Sequence, residues 1–103
     1  MKIKYGNNKN QGGMEMKTLT LPLIAKWYEM IERGEKLEDY RDNNPYWQKQ
    51  LLSDKYDAVK FRCIYTQRTI TFRIKEIRLG KGKEEWGAEN EKTYFVIKLG
   101  RKL

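Results

Sequence analysis

The stretch Tyr56–Leu79, with the sequence YDAVKFRCIYTQRTITFRIKEIRL, decides the fold class because apolar and polar residues alternate along most of it. Such a period of two is typical of strands that bury one face. We therefore predict one strand over Tyr56–Tyr65 and a second over Arg68–Leu79, with Thr66-Gln67 as a tight turn. Two strands joined by so short a turn form an antiparallel hairpin. The buried face of the first strand is expected to carry Val59, Phe61, Cys63 and Tyr65.

The apolar pattern of the second strand changes phase part-way along. Apolar residues alternate with polar ones as far as Ile74, whereas the next apolar residues are Ile77 and Leu79. A β-bulge near Lys75–Glu76 explains this shift, because a bulge inserts one extra residue into a strand. It also bends the strand, as the closure of a small barrel requires.

Upstream of the hairpin, the sequence predicts a strand followed by a helix. Met16–Leu21 alternates leucines with threonines, which indicates a half-buried strand. We expect Pro22 to end that strand and to lie in the first turn of a helix over Leu23–Arg33. Gly34 then occupies the position at which a glycine commonly ends a helix. The apolar face of this helix is expected to carry Leu23, Ile24, Trp27, Tyr28 and Ile31.

Further segments complete the order of elements. Lys36–Arg41 is short and extended, Asn43-Asn44-Pro45 is a turn, and Pro45–Leu52 is a second short helix. After the hairpin, Gly80–Glu91 is a charged loop and Lys92–Leu99 is a final strand. The resulting order, β-α-β-α-β-β-β, predicts an α+β fold. Its architecture is expected to be a small mixed, partly open β-barrel of about five strands with two helices.

The composition bounds the domain organisation and excludes several classes of function. With 103 residues the chain has room for one domain, which we place at 16–103 after a disordered leader over 1–15. The sequence has no histidine, which excludes Ser-His-Asp and Cys-His catalysis and removes the commonest metal ligand. Cys63 is the only cysteine, so neither an internal disulfide nor a cysteine-based zinc site can form.

The hydropathy of the chain argues against a membrane protein. No apolar run approaches the ~20 residues that a membrane-spanning helix needs. Residues 1–13 are polar in the middle, where a signal peptide is apolar. We therefore expect a cytoplasmic monomer that has no membrane partner, binds no metal and needs no cofactor.

The net charge of +8 is concentrated in the second half of the chain. Residues 57–103 carry twelve basic and six acidic side chains, and within 59–83 the eight basic side chains face a single acid, Glu76. Such asymmetry indicates a polyanionic partner, most often nucleic acid, and the alternative is a solvated basic surface. Cross-strand neighbours on the polar faces of the hairpin would form a stripe suited to phosphates. To this stripe we assign Arg62, Arg73 and Lys75.

The segment GEKLEDYR after the first helix has the pattern of a known family. It contains Gly34, Lys36, Asp39 and Arg41, and it precedes the hairpin and the final strand YFVIKLG. Together these features resemble the ASCH domain of the PUA-like superfamily over residues 16–100. The family motif is a glycine, a lysine two positions on, an acid about three after that, and an arginine two further. The acid of the family is usually Glu, where this chain has Asp39.

The resemblance implies a mixed barrel with a cleft between the first helix and the barrel, in a family that binds RNA or modified nucleosides. Some small bacterial members are similar to amidohydrolases that deacetylate N4-acetylcytidine with a lysine, a threonine and a glutamate. On this chain the lysine falls on Lys36 and the threonine on Asp39. The glutamate of those enzymes comes from the loop before the last strand, where the candidates are Glu84, Glu85 and Glu89.

The chemistry open to the segment follows from its residue types. On an extended segment Lys36 and Glu38 point one way, whereas Asp39 and Arg41 point the other. If the segment lines a cleft, Lys36 and Arg41 can contact a phosphate or a base edge, Arg41 through its planar guanidinium. A neighbouring acid can hold Arg41 in place or accept a hydrogen bond from an exocyclic amine. The alternative is a surface cluster of ion pairs, each worth about 0–1 kcal/mol.

The three tryptophans allow two interpretations. Trp27 lies on the apolar face of the predicted helix and is expected in the core. Trp47 follows the motif, and Trp86 lies in the polar loop before the last strand. Either of these two can pack against the domain, or stack on a base for about 1–3 kcal/mol. Both are therefore included among the candidate nucleic-acid contacts.

Three functions stay open from the sequence. The first is a binding module for RNA or a nucleotide, with Lys36, Glu38 and Arg41 in the cleft and the hairpin cations on phosphates. The alternative is a metal-free amidohydrolase acting on an acylated nucleoside such as N4-acetylcytidine, with Lys36 as nucleophile or base beside Asp39. The third is a partner-binding domain of a mobile or phage-type element. A buried Lys36 in a deep cleft favours the hydrolase, whereas a groove continuous with the hairpin cations favours RNA.

Overall fold

A computed structural model describes residues 16–53 and 55–103. Within them, five strands and two helices occur in the predicted order, with a short 3-10 helix before the last strand. The elements are β1 (Thr18–Leu23), α1 (Ala25–Glu32), β2 (Glu38–Asp42), α2 (Pro45–Ser53), β3 (Ala58–Cys63), β4 (Thr69–Lys81), the 3-10 helix Glu84–Trp86 and β5 (Thr93–Lys102). The disordered leader expected over 1–15 lies outside the described residues.

The five strands form one mixed sheet in the order β1-β3-β4-β5-β2. β1 runs parallel to β3, and the other three neighbouring pairs are antiparallel. The sheet curves into an open half-barrel, and β1 and β2 are its two edges. The predicted fold class, an α+β fold with a small, mixed and partly open barrel, is therefore confirmed.

The main core lies on the face of the sheet against which α1 packs. Alternate residues of β1 and β3 are buried there, as the alternation predicts, and Tyr28 and Ile31 of α1 pack against them. The buried strand residues are Leu19, Leu21, Leu23, Val59, Phe61 and Cys63. The prediction for Tyr65 is wrong, because β3 ends at Cys63 and Tyr65 lies in the following turn, where it is 85% exposed.

β1 lies two residues further along the chain than predicted, because Pro22 does not end it. The strand continues through Pro22 to Leu23, and α1 begins at Ala25 rather than at Leu23. Proline lacks the N–H that a ladder needs, so within sheets it is confined largely to edge strands, and β1 is an edge strand. Consequently Leu23 and Ile24, which were expected on the helix, form the junction between strand and helix.

The hairpin of β3 and β4 is antiparallel, as predicted. Further along β4, the pairing with β5 shifts register between Ile74 and Glu76, where the phase change predicts a bulge, and also between Phe72 and Ile74. Both strands of that pair are longer than predicted, since β4 extends to Lys81 and β5 to Lys102. The bend that these irregularities allow is consistent with the curvature of the half-barrel.

Both helices are short. α1 has eight residues and α2 has nine, and neither combines the length and apolar character that crossing a membrane requires in the described part of the chain. α2 begins at Pro45, as predicted, since proline suits the first turn of a helix. The side chain of Asn44 accepts a hydrogen bond from the N–H of Trp47 at 2.9 Å and so caps the helix.

A glycine turns the chain back at the end of α1, as predicted. Gly34 has a φ of +79°, and its N–H donates to the carbonyl oxygen of Ile31 at 3.0 Å. The N–H groups of Glu35 and Lys36 both donate to the carbonyl oxygen of Met30, at 2.9 and 3.1 Å. The backbone of Lys36 is therefore fixed against the last turn of the helix, before β2 begins.

We expect Gly34→Ala to lower the free energy of unfolding by about 1–2 kcal/mol, because a residue with a Cβ is strained at this positive φ. A Cβ on Gly34 would meet no atom within 4 Å, so the loss is due to the backbone alone. The matched control is Gly34→Asn, which tolerates the left-handed region better and should lose less. Urea unfolding followed by circular dichroism measures both variants. Equal stability of Gly34→Ala and the wild type would contradict the left-handed turn.

Candidate functional site

A cleft of about 300 Å³ opens between the start of α1, the strand β2 and the turn that follows the 3-10 helix. It lies where the two edges of the half-barrel approach each other, since Nη2 of Arg41 on β2 contacts the carbonyl oxygen of Pro22 on β1 at 3.4 Å. Its walls carry four aromatic and three ionisable side chains: Trp27, Tyr40, Trp86, Tyr94, Lys36, Asp39 and Arg41. A cleft between the first helix and the barrel is what the family resemblance implies.

Lys36 is buried in the cleft wall, with 2% of its surface exposed. Its Nζ donates a hydrogen bond to the carbonyl oxygen of Glu38. Nζ also lies 4.8 Å from the ring centre of Tyr40 and 5.6 Å from that of Trp27. An ammonium group has three N–H donors, and no other acceptor among residues 16–53 and 55–103 lies within hydrogen-bond distance. Two donors are therefore left for a group that enters the cleft.

Burial lowers the pKa of Lys36 from its ordinary value of 10.5 to about 8. The carboxylate of Asp39 opposes this shift, and the guanidinium of Arg41 adds to it. Lys36 is therefore mainly protonated at neutral pH, but it loses its proton far closer to neutrality than an exposed lysine does. Near pH 8 the side chain of Lys36 is therefore present both as an ammonium, which donates hydrogen bonds, and as a free amine.

Asp39 and Arg41 form an ion pair along one side of the cleft. Nε of Arg41 donates to Oδ2 of Asp39 at 2.7 Å, and Asp39 is only 3% exposed. The Cζ atom of Arg41 lies 5.4 Å from the ring centre of Trp47, which packs beside the guanidinium and does not line the cleft. Nη1 of Arg41 has no acceptor among the residues that the structure describes, so this nitrogen is available to a ligand.

The alternation of the segment does not divide it into a cleft side and a solvent side, because Tyr40 lines the cleft together with Lys36, Asp39 and Arg41. Nζ of Lys36 lies 4.8 Å from the ring centre of Tyr40. The backbone of Lys36 precedes β2, which begins at Glu38, and is held by the carbonyl oxygen of Met30. The alternative of a solvated cluster of ion pairs does not hold for Lys36 and Asp39, because both are buried.

Glu38 and Tyr40 fasten β2 to the loop before β5. The hydroxyl of Tyr40 donates to Oε1 of Glu38 at 2.8 Å and accepts from the N–H of Lys83 at 2.9 Å. Glu38 also lies 3.7 Å from the guanidinium of Arg78. Burial raises the pKa of Tyr40, so its hydroxyl stays protonated at neutral pH. The Glu38 carboxylate is therefore engaged by groups of the protein, and Tyr40 positions the wall that carries Trp86.

Trp86 forms one wall of the cleft and is 9% exposed. Nζ of Lys83 lies 4.4 Å from the centre of its ring. The next residue, Gly87, has a φ of +102°, and a Cβ on it would lie 2.9 Å from Cζ2 of Trp27. Only glycine allows the loop to approach α1 so closely. Trp86 is thus packed against the fold while part of it lines the cleft, and its stacking on a base stays a prediction.

The acidic residues considered for catalysis in this loop lie outside the cleft. Glu84, Glu85 and Glu89 are all exposed, and none of them lines it. Of the lysine, threonine and glutamate that the resemblance implies, the cleft holds Lys36, and Asp39 at the position of the threonine. In the described part of the chain, no group of three or more His, Cys, Asp or Glu side chains could hold a metal ion.

The candidate phosphate contacts lie on the hairpin, and none of them lines the cleft. Arg62 and Arg73 are at opposite ends of the β3–β4 ladder, on the same face of the sheet as Lys60. Arg73 pairs with Ala58, which lies four residues before Arg62 on β3, or about 13 Å along the strand. They are therefore not direct cross-strand neighbours, and Lys60 lies between them. Lys75 is exposed further along β4.

The hairpin cations, like Lys26, Lys49 and Lys83 elsewhere in the described chain, have no acidic partner. Among the residues that the structure describes, none of Lys60, Arg62, Arg73 and Lys75 forms an ion pair. By contrast, carboxylates lie within ion-pair distance of Arg33, Arg41, Arg68 and Arg78. The positive charge on the hairpin is uncompensated and available to a polyanion.

Comparison with known proteins finds no match to this chain, whether among family models, curated proteins or solved structures. The resemblance to the ASCH domain therefore rests on the segment Gly34–Arg41 and on the order of the helices and strands. It stays a prediction, and what bears on function is the geometry of the cleft and the hairpin.

We expect the burial of Lys36 to make the stability depend on pH in a way that Lys36→Met removes. The unfolded chain holds this proton up to a pKa of 10.5 and the folded chain only up to about 8. The unfolded state therefore binds more protons between these values, and stability rises with pH. Relative to Lys36→Met, the free energy of unfolding of the wild type should increase by up to about 3 kcal/mol across this window.

Urea titrations at several pH values across the window measure this difference. The matched control is Lys60→Met, which removes an exposed lysine of β3 and should leave the pH dependence of the wild type unchanged. If the curve of Lys36→Met runs parallel to that of the wild type, the amine of Lys36 is not buried in solution.

Proposed function

We propose that this protein binds RNA or a nucleotide and takes one base into the cleft. The observation that carries the proposal is the buried amine of Lys36, which has two N–H donors without partners among the described residues. A buried polar group that is left unsatisfied costs about 1–3 kcal/mol. The cleft is therefore suited to a ligand that brings hydrogen-bond acceptors.

A nucleobase fits the cleft in size and chemistry. The volume of about 300 Å³ is at the lower end for small-molecule pockets, which suits one base or nucleoside rather than a length of chain. The rings of Trp27 and Trp86 offer apolar walls to a planar group. Lys36 and Nη1 of Arg41 can donate to carbonyl oxygens or ring nitrogens of a base. The carboxylate of Asp39 can accept from an exocyclic amine.

The hairpin cations support RNA as the source of that base. Lys60, Arg62 and Arg73 share one face of the sheet and have no acidic partners in the described chain. Contacts of this kind with phosphates position a nucleic acid without reading its sequence. Single-stranded RNA in addition presents unstacked bases that a cleft can accept.

We expect two separable contributions to binding. The double substitution Lys36→Ala with Arg41→Ala should weaken the binding of a short single-stranded RNA and of a free mononucleotide, each by at least about tenfold, because it removes charged donors. The double substitution Arg62→Ala with Arg73→Ala should weaken only the RNA. It should also reduce the slope of log K against log salt by about 1 to 2, because fewer counterions are released.

Fluorescence anisotropy from low to high salt measures both effects, and circular dichroism verifies the fold of each variant. The matched control is Lys49→Ala, which removes an exposed lysine of α2 outside the cleft lining and the hairpin. It should bind as the wild type does. An affinity for RNA that is the same at all salt concentrations, or that survives the loss of Lys36 and Arg41 unchanged, would rule out the proposal.

The burial of Lys36 in a cleft is also the feature expected of a second candidate, a metal-free amidohydrolase acting on an acylated nucleoside such as N4-acetylcytidine. Lys36 has a pKa of about 8 and lies beside Asp39. A free amine in such a place can act as nucleophile or base. However, Asp39 is held by Arg41, and the glutamates of the loop before β5 are exposed. We therefore conclude in favour of binding.

The pH dependence separates the two candidates. Binding through the ammonium of Lys36 should weaken as the pH rises through about 8, whereas hydrolysis by its free amine should accelerate over the same range. Incubation with N4-acetylcytidine and related acylated nucleosides, followed by mass analysis, detects deacylation. The control is Lys36→Arg, which keeps the charge but does not titrate in this range. No turnover at any pH removes the hydrolase for this class of substrate.

A further inference from the structure

The turn between β3 and β4 carries the most exposed large hydrophobic side chain of the described residues. Tyr65 is 85% exposed, and its neighbour Ile64 is 41% exposed. Within the part of the chain that the structure describes, the side chain of Tyr65 makes no hydrogen bond or ring contact. Both faces of the ring are therefore accessible to a partner.

The backbone beneath this ring is held in place. Gln67 closes the turn, since its N–H donates to the carbonyl oxygen of Cys63 at 2.9 Å and its Nε2 donates to that of Ile64 at 2.8 Å. The hydroxyl of Thr66 accepts from the N–H of Arg68 at 3.2 Å. A ring on such a turn can stack without first ordering a flexible loop, which lowers the entropic cost of binding.

The turn is joined to the mouth of the cleft. The N–H of Ile64 donates to the carbonyl oxygen of Leu23 at 3.0 Å, at the end of β1. Leu23 and Ile24 both line the cleft, and Ile24 is 48% exposed. This backbone hydrogen bond brings two exposed apolar residues, Ile24 at the cleft and Ile64 beside Tyr65, to neighbouring positions.

Positive charge borders these exposed residues on the side of the hairpin. Arg62 lies opposite Pro22 in the β1–β3 ladder, and Pro22 lines the cleft. Nη1 of Arg62 contacts only Oε1 of Gln67, at 3.4 Å, within the described chain. A partner that fits here combines a flat apolar group with negative charge. A nucleotide has both, in its base and its phosphate.

We propose that Tyr65 forms a second stacking subsite, which holds the base of a nucleotide next to the one in the cleft. The inference rests on the proposed function, and it goes further by assigning to the ligand at least two nucleotides of one strand. The base stacks on the ring of Tyr65, and the phosphate between the two nucleotides faces Arg62. An oligonucleotide therefore binds more tightly than the mononucleotide that fills the cleft alone.

The test compares Tyr65→Ala, Tyr65→Phe and the wild type with three probes: a mononucleotide, a short single-stranded RNA, and the same RNA with abasic nucleotides at the positions flanking one base. Tyr65→Ala should weaken binding of the intact RNA about tenfold, since stacking on an aromatic side chain contributes that much. It should leave binding of the mononucleotide and of the abasic RNA unchanged. Tyr65→Phe keeps the ring and should bind as the wild type does.

The matched control is Tyr46→Ala, which removes another exposed tyrosine, 62% exposed on α2, and should not change RNA binding. If the RNA binds but Tyr65→Ala binds it as tightly as the wild type, the stacking subsite is wrong and the proposed function stands. If neither the mononucleotide nor the RNA binds, both are wrong. If Tyr65→Ala instead abolishes self-association in sedimentation experiments, without changing RNA binding, the turn is a protein interface and the subsite is overturned.

Discussion

The burial of the Lys36 amine is the constraint on which the arrangement of this end of the half-barrel depends. An ammonium removed from water needs compensation from its neighbours. The carbonyl oxygen of Glu38, the carboxylate of Asp39 and the rings of Trp27 and Tyr40 provide part of it. The lowered pKa shows that this compensation is incomplete. A ligand with acceptors would supply the rest, which is why a buried lysine without full partners is more informative than an exposed one.

Arg41 connects this local chemistry to the architecture of the sheet. An open half-barrel has two edge strands, and unpaired edges expose backbone groups. Nη2 of Arg41 on one edge contacts the carbonyl oxygen of Pro22 on the other, while Asp39 orients the guanidinium through Nε. The same side chain offers Nη1 to the cleft. The guanidinium of Arg41 therefore takes part both in the contact between the two edges and in the lining of the cleft.

Much of the fold could be predicted because alternation and a helix-ending glycine, Gly34, are local signals. The errors arise where the answer depends on distant segments. The local pattern predicts that Pro22 ends a strand, but whether a proline is tolerated there depends on the position of β1 at the edge of the sheet. Alternation alone does not show where β3 ends, and it therefore predicts a buried Tyr65. The residue types of Lys36 and Asp39 predict a site, but the burial of both side chains depends on the turn at Gly34 and on the packing around them.

The strand pairs of the sheet fall into two kinds, those between neighbouring segments of the chain and those between distant ones. β3 and β4 are consecutive, so their hairpin consists of local contacts. The two edges of the half-barrel are built from distant pairs, with Leu19 beside Val59 and Asp39 beside Ile97. Such pairs close large loops, which is the costly part of forming a fold. The cationic hairpin with Tyr65 therefore needs only neighbours in sequence, whereas the proposed base pocket exists only once segments from both halves of the chain have met.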